Sequence, residues 1–289
     1  MNNVQKILVT GATGQLGSEL RALSVNFLEF DWVFADRTKV SFSNLSTLEN
    51  QLEVIQPDFI INCAAYTAVD KAETDQELAD IINHQAVKII SHYAFKQNKK
   101  IIHISTDYVF DGTSKIALTE EATTDPVNAY GKTKRAGEIA CLQVNPDAII
   151  IRTSWVYSRF GNNFVKTMLR LMHKNDTISV VNDQFGSPTN AADLAQAIMT
   201  IVAAKEWVSG IFNFSNEGVV SWFEFAVEIK KNSNFTCEIL GIPSVSYPTP
   251  AKRPFYSLLD KTKIKKIYGV HVPEYSQSLK SSNILTDKY

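Results

Sequence analysis

The chain reads as an α/β protein, a doubly wound parallel sheet followed by a smaller α/β part, on three observations. Short apolar runs recur through the first half, helical stretches separate them, and a glycine-rich turn follows the first run. The runs are Ile7-Leu8-Val9, Trp32-Val33-Phe34, Phe59-Ile60-Ile61, Ile101-Ile102-His103-Ile104 and Ile149-Ile150-Ile151. Each is short, rich in β-branched or aromatic residues and largely apolar at consecutive positions, as strands covered on both faces are. Between them, Glu77 to Phe95 carries Leu78, Ile81, Ile82, Ile89 and Ile90 at helical spacings, and Thr133 to Gln143 is a second helical stretch. Strand, helix and strand in repetition imply a parallel sheet with helices on both faces.

The second half is less regular. Asn163 to Lys174 predicts a helix with Phe164, Met168, Leu171 and Met172 on one stripe; Ala191 to Ala204 predicts another. Ser221 to Lys231 predicts a third, with Ser221 as its cap. Tyr247-Pro-Thr-Pro-Ala-Lys-Arg-Pro is a loop, because its prolines interrupt helical hydrogen bonding. With no linker or repeat between the halves, the second is expected to pack on the sheet and form a cleft with it.

Composition excludes several classes. The 289 residues, 45% of them hydrophobic, suffice for a large core in one or two domains. Lys+Arg 29 against Asp+Glu 30 leaves a net charge of -1, without the basic excess of nucleic-acid binding. Lys261, Lys263, Lys265 and Lys266 form a local basic group, read as a solvated helix face. No apolar run approaches the ~20 residues that span a bilayer. The N-terminal stretch lacks the apolar run and cleavage site of a secretory leader. Cys63, Cys141 and Cys237 are scattered and without metal-ligand spacing. They fit packing residues in a reducing compartment, so a cytoplasmic protein without a metal site is expected.

Gly11-Ala12-Thr13-Gly14-Gln15-Leu16-Gly17 follows the first strand and opens a helix. The glycines allow a tight turn and a close backbone approach, and the helix start offers N–H groups and a positive dipole end to a pyrophosphate. In this context the motif predicts dinucleotide binding on a Rossmann-type sheet. Asp36 ends the second strand, about 20 residues on, where a carboxylate accepts hydrogen bonds from the adenine ribose. Arg37 follows it and suits a 2′-phosphate. The two point in opposite directions, so use of either NADPH or NADH is expected.

Tyr130-Gly-Lys-Thr-Lys134 places a tyrosine and a lysine on one helix face, which Lys132 shares less well. Reducing a ketone requires a proton at oxygen as hydride reaches carbon, and an ammonium beside a phenol eases its ionisation. Ser105-Thr106-Asp107 closes the fourth apolar run, where ligands of open α/β sheets bind. A hydroxyl there can polarise a substrate carbonyl, and strand alternation allows one of Ser105 and Thr106 to face the site.

Together these residues resemble the dTDP-4-dehydrorhamnose reductase family of extended short-chain dehydrogenases. The resemblance runs through the glycine turn, Ala-Ala-Tyr-Thr-Ala-Val-Asp-Lys-Ala-Glu at 64–73, Ser-Thr-Asp-Tyr-Val-Phe-Asp-Gly at 105–112 and Tyr-Gly-Lys-Thr-Lys at 130–134. It continues in Arg-Thr-Ser-Trp-Val-Tyr at 152–157, Gly-Asn-Asn-Phe at 161–164, Asn-Asp-Gln-Phe-Gly-Ser-Pro-Thr at 182–189 and Arg-Pro at 253–254.

The resemblance implies NAD(P)H-dependent reduction of C4 of dTDP-6-deoxy-L-lyxo-4-hexulose to dTDP-L-rhamnose. It implies that Thr106 polarises the carbonyl, Tyr130 donates the proton, and Lys134 tunes Tyr130 and holds the cofactor ribose. Cofactor contacts would come from Gly11, Thr13, Gly14, Gln15, Leu16, Gly17, Asp36, Arg37, Phe42, Ser43, Ala64, Ala65, Tyr66, Tyr130 and Lys134. Substrate contacts would come from Val69, Thr106, Asp107, Tyr108 and Trp155, with Arg253 on the diphosphate. Ser41 departs from the pattern: family members often carry an aspartate there, against the adenine. Some relatives bind magnesium and dimerise through acidic residues; with no clear acidic cluster here, a monomer or homodimer without metal is expected.

The implied organisation is a cofactor-binding domain over 1–157, rejoined by about 178–214, with 158–177 and 215–289 forming the substrate part. Alternatives on the same scaffold are a reductase or epimerase for another nucleotide-linked keto sugar, or a non-catalytic regulatory subunit.

Overall fold

The computed structural model describes residues 4–286; residues 1–3, part of the stretch read as lacking a leader, lie outside the described residues. β1 (Lys6–Thr10) passes through the glycine turn into α1 (Gln15–Leu23), followed by β2 (Asp31–Ala35), α2 (Leu45–Ile55) and β3 (Phe59–Asn62). Next come α3 (Gln76–Asp80), a π-helical turn (Ile81–Gln85), α4 (Ala86–Lys96), β4 (Lys100–Thr106), α5 (Ala129–Val144) and β5 (Ile149–Thr153). The chain continues through β6 (Val156–Tyr157), α6 (Phe164–Lys174), β7 (Thr177–Val181), β8 (Phe185–Gly186), β9 (Thr189–Asn190), α7 (Ala191–Val202) and β10 (Gly210–Asn213). It ends with β11 (Val220–Ser221), α8 (Trp222–Lys231), β12 (Glu238–Ile242), α9 (Thr262–Tyr268) and α10 (Tyr275–Ser281).

Six parallel strands form the main sheet in the order β10-β5-β4-β3-β1-β2. Consecutive apolar residues are needed because alternate side chains enter two different cores. Ile7, Val9, Ile61, Ile102, Ile149 and Ile151 pack with Leu16 and Leu20 of α1 and Leu194 and Ile198 of α7. Leu8, Ile60, Ile101 and Ile150 pack on the other face with Leu48 and Leu52 of α2 and Val87 and Ile90 of α4. β1 lies between β2 and β3, so the chain moves from β1 to one side and then crosses back past it to β3 on the other. That reversal opens a crevice beyond the carboxyl ends of β1 and β3, the ligand position of such sheets.

A second lobe packs Met168 and Leu169 of α6 with Phe225 and Ile229 of α8. Ser221 caps α8 with a complete capping box, its Oγ accepting from the Glu224 N–H at 3.1 Å. β7 pairs with β12, and its Ile178 and Val180 enter this second core. The segment read as rejoining the sheet at about 178 therefore does so later, through α7 and β10.

Two helices differ from their periodicity. The stretch read as one helix over 77–95 is broken by the π turn, which carries the fully buried Asn83. α5 begins at Ala129, four residues before the apolar periodicity, because the Asn128 side chain accepts from the Gly131 N–H at 2.8 Å. The basic group is a solvated face only in part: Lys265 and Lys266 are exposed, but the others are not fully so. Lys261 is buried and pairs with Glu217 at 3.4 Å, Lys265 also pairs with Glu217, and Lys263 donates to the Ile211 carbonyl at 2.9 Å. Among the described residues, no helix is long and apolar enough to cross a membrane.

Candidate active site

The glycine turn is shaped by contacts that a side chain would destroy. Gly11 has φ +66, and a Cβ there would lie 2.7 Å from the Ala64 nitrogen at the end of β3. Gly17 brings α1 onto the turn, since its Cβ would lie 2.5 Å from the Gly11 carbonyl oxygen. Gly14 is the N-cap of α1 and supplies no side-chain cap. The first-turn N–H groups are thus presented at the cavity, together with the positive end of the helix dipole.

A cavity of about 1010 Å³ runs from this turn between the two lobes. The end at the glycine turn is lined by Gly11, Thr13, Gly14, Gln15, Leu16, Arg37, Phe42, Ser43, Ala64, Ala65 and Tyr66. Its other end is lined by Val69, Thr106, Asp107, Tyr108, Tyr130, Lys134 and Trp155. Ser41 and Cys63 share the wall.

At the end of β4, Thr106 Oγ1 accepts from the Tyr108 N–H at 3.2 Å and donates to Asp107 Oδ1 at 3.0 Å. The Tyr130 hydroxyl lies beside the Thr106 side chain, and the Tyr108 ring meets the Tyr130 ring edge-on at 5.6 Å. Burial pushes the Tyr130 phenol up to about 12, against which the Thr106 side chain works downward. Burial likewise raises the Asp107 carboxyl to about 6. Lys134 Nζ donates to the Ile104 carbonyl at 2.7 Å, and burial brings its ammonium down to about 8. Ser105 also contributes to the cavity lining, but its hydroxyl oxygen is buried.

Three sequence-derived site residues are not on the wall. Gly17 supports the turn from behind, as described. Asp36 stabilises its own turn instead: its Oδ1 accepts from the Thr38 N–H at 2.9 Å, the Thr38 hydroxyl at 2.6 Å and the Lys39 N–H at 3.2 Å. Those Thr38 bonds hold its carboxyl below the usual range. Arg253 is held by a two-pronged ion pair with Asp70, at 2.9 and 2.8 Å.

Other contributors were not assigned a role from sequence. Gly161, Asn162 and Asn163 reach the wall, and Asn163 Nδ2 donates to Gln15 Oε1 at 3.0 Å, tying the second lobe to the glycine turn. The Gly-Asn-Asn-Phe signature was the available signal. Asn83 accepts from the Tyr66 N–H at 2.8 Å and donates to the Tyr66 carbonyl at 3.1 Å, fixing the loop that carries the Ala64–Tyr66 wall. The π turn that positions it leaves no mark in apolar spacing.

The family model described as RmlD substrate binding domain matches residues 5–285. The chain belongs to the dTDP-4-dehydrorhamnose reductase family. A curated dTDP-4-dehydrorhamnose reductase of Aggregatibacter actinomycetemcomitans is 38% identical over 286 residues, covering 96% of this chain and 97% of that one. The solved dTDP-4-dehydrorhamnose reductase of Clostridium acetobutylicum superposes with a TM-score of 0.93 at 38% identity, covering 98% of this chain and 99% of that one. The Bacillus anthracis dTDP-4-dehydrorhamnose reductase, solved in complex with NADP, superposes with a TM-score of 0.92 at 36% identity, with coverages of 98% and 99%. As a member of this family the chain presents, in one cavity, a glycine turn at one end and the Thr106, Tyr130 and Lys134 group at the other.

Proposed function

We propose that the protein reduces the C4 keto group of dTDP-6-deoxy-L-lyxo-4-hexulose with NADPH or NADH, giving dTDP-L-rhamnose. The observation that carries this reading is the meeting of Thr106, Tyr130 and Lys134 in the same cavity as the glycine turn. The steric fit of the turn supports a dinucleotide: the Gly11 and Gly17 cradle admits no Cβ, and the α1 start has no side-chain cap. Gly11, Thr13, Gly14, Gln15 and Leu16 would hold the diphosphate portion, Arg37, Phe42 and Ser43 the adenosine end, and Ala64, Ala65 and Tyr66 the span between. When bound, the cofactor supplies the hydride.

The chain's own residues handle the oxygen. Tyr130 gives its phenolic proton to the C4 oxygen as that carbon becomes tetrahedral, so the carbonyl ends as a hydroxyl. Thr106 lies within hydrogen-bond reach of the same phenol and polarises the carbonyl. Lys134 lies one turn along α5 from Tyr130, serving the ribose and the returning proton. Val69, Asp107, Tyr108 and Trp155 enclose the sugar. Residues 1–157 and the later sheet segments would carry the cofactor, and the second lobe the sugar nucleotide.

Loss of nicotinamide absorbance from NADPH and from NADH, with enzymatically generated keto-sugar substrate, tests the proposal and ranks the two cofactors. Folded protein that binds NAD(P) but leaves the absorbance unchanged would transfer the reading to another nucleotide-linked keto sugar or to a non-catalytic role.

A further inference from the structure

The loop that brings Gly161, Asn162 and Asn163 to the cavity wall is bound along one face of α1, the helix that the glycine turn opens. Gln15 and Glu19 share that face, one helical turn apart. Ser158 is fully buried, and its hydroxyl donates to Glu19 Oε1 at 2.6 Å. Gly161 lies against Gln15, since a Cβ there would be 3.3 Å from the Gln15 Cγ. Beside it the Asn163 and Gln15 amides meet, and their partners fix the orientation of both. Asn163 Oδ1 accepts from the Lys166 backbone N–H at 3.1 Å, which caps α6. A backbone N–H can only donate, so this contact identifies the oxygen of the Asn163 amide. Its nitrogen then donates to the Ser158 carbonyl at 2.7 Å and to Gln15 at 3.0 Å, which uses both of its protons. An amide nitrogen only donates, so the Gln15 atom it meets must be the oxygen. Gln15 Nε2 is left as a donor and reaches the Val156 carbonyl at 3.3 Å. That contact uses one of its two N–H groups, and the other has no protein partner among the described residues. Gln15 is at once the first residue of α1 and part of the cavity wall.

We propose that Asn163, from the second lobe, is a positioning residue for the cofactor: it engages the Gln15 oxygen and so keeps one Gln15 N–H free to donate to the dinucleotide diphosphate. The proposal rests on the dinucleotide reading of the glycine turn. A diphosphate is an anion and needs donors, and the start of α1 offers backbone N–H groups with no side-chain cap to compete for them. A glutamine free to rotate could turn its oxygen toward the same anion, and fixing it as the cofactor binds would cost side-chain entropy. Asn163 removes both penalties before the cofactor arrives. Because the same side chain caps α6, one residue sets both the start of that helix and the donor beside the turn. Glu19 cannot take this part: its carboxylate is occupied by Ser158, with Arg159 at 3.8 Å.

Fluorescence titration of the full chain with NADPH tests this in a cycle of two substitutions. Asn163→Ser keeps a side-chain oxygen for the Lys166 N–H, and with it the cap, but has no amide to hold Gln15. Gln15→Met keeps the length of the side chain and removes its amide. The dissociation constant should rise about fivefold in Asn163→Ser, where Gln15 must be ordered on binding. It should rise about tenfold in Gln15→Met, which loses a hydrogen bond to a charged group. Adding Asn163→Ser to Gln15→Met should raise it no further, because the first residue acts through the second. A residue that only braced α6 would weaken binding equally whether or not Gln15 is present. An Asn163→Ser effect of full size in the Gln15→Met background would therefore overturn the proposal, as would an unchanged dissociation constant in either single variant. If Asn163→Ser does not fold, Gln15→Met decides alone: a loss of about tenfold supports the free N–H as a donor, and unchanged affinity overturns it. A folded parent protein that binds no NADPH would overturn the dinucleotide reading and this proposal with it. A parent that binds NADPH, with variants that match it, would overturn this proposal alone.

Discussion

Trp155 lies flat on Trp222, with ring centroids 3.5 Å apart and planes 10° from parallel. Trp155 lines the cavity from a left-handed backbone conformation, φ +47, which a bulky residue adopts only when its surroundings hold it there. The stack and the close passage of Gly186, where a Cβ would lie 3.0 Å from the ring, provide that hold. Trp222→Ala should therefore loosen the Trp155 wall of the cavity, where the proposed function seats the sugar, without touching the glycine turn. Steady-state kinetics should show KM for the nucleotide sugar rising about tenfold, about 1.4 kcal/mol, with cofactor affinity unchanged. An unaltered KM would show that Trp155 keeps its place unaided.

Arg37 lines the cavity, whereas Asp36 turns an oxygen back into its own Thr38–Lys39 turn. A guanidinium at that edge favours a 2′-phosphate. Arg37→Ala should raise KM for NADPH by about tenfold and leave KM for NADH within about twofold. Paired kinetics with the two cofactors check this; an equal loss for both would place Arg37 elsewhere on the dinucleotide.

Asp107 carries a carboxyl that burial raises from 3.8 to about 6. A raised folded pKa means that the folded protein binds the proton more tightly than the unfolded chain. The associated stability is fully present below pH 3.8 and is lost as pH climbs through about 6. Asp107→Asn removes this loss, so it should stabilise the fold at pH 8 by about 3 kcal/mol at most and give no gain at pH 3.5. Thermal melting at the two pH values reads the difference. A variant less stable at pH 8 would mean that the ionised carboxylate is better solvated than its burial indicates.

Gly11→Ala adds a methyl group within 2.7 Å of the β3 end and imposes a positive φ on alanine. Cofactor affinity should fall at least about tenfold, with NAD(P)H fluorescence titration as the readout. Retained affinity would show that β3 can yield there.

Much of the sheet was legible because its strands are buried on both faces. Ile7, Leu8 and Val9 are apolar in succession since they enter alternating cores. The glycine turn was legible because steric demand leaves few alternatives to glycine at 11 and 17. What escaped is written in hydrogen bonds rather than apolar spacing. The start of α5 depends on an Asn128 cap, and the break in the 77–95 helix is a π turn that sends Asn83 to Tyr66. Arg253 had the right chemistry for a diphosphate, but its partner Asp70 is 183 residues away in sequence. The same holds for Gln15 and Asn163, whose contact exists only once α1 and the start of α6 are side by side.

In the proposed reaction, hydride goes to C4 of the nucleotide sugar while Tyr130 supplies the proton to its oxygen. The most direct test is turnover with NADPH deuterated at the transferred position, followed by NMR of the isolated product, for the parent protein and Tyr130→Phe. Deuterium is expected at C4 of dTDP-L-rhamnose, and in the variant a rate lower by about 10²–10⁴-fold with cofactor binding retained. Deuterium at another carbon, or an undiminished rate in Tyr130→Phe, would contradict it.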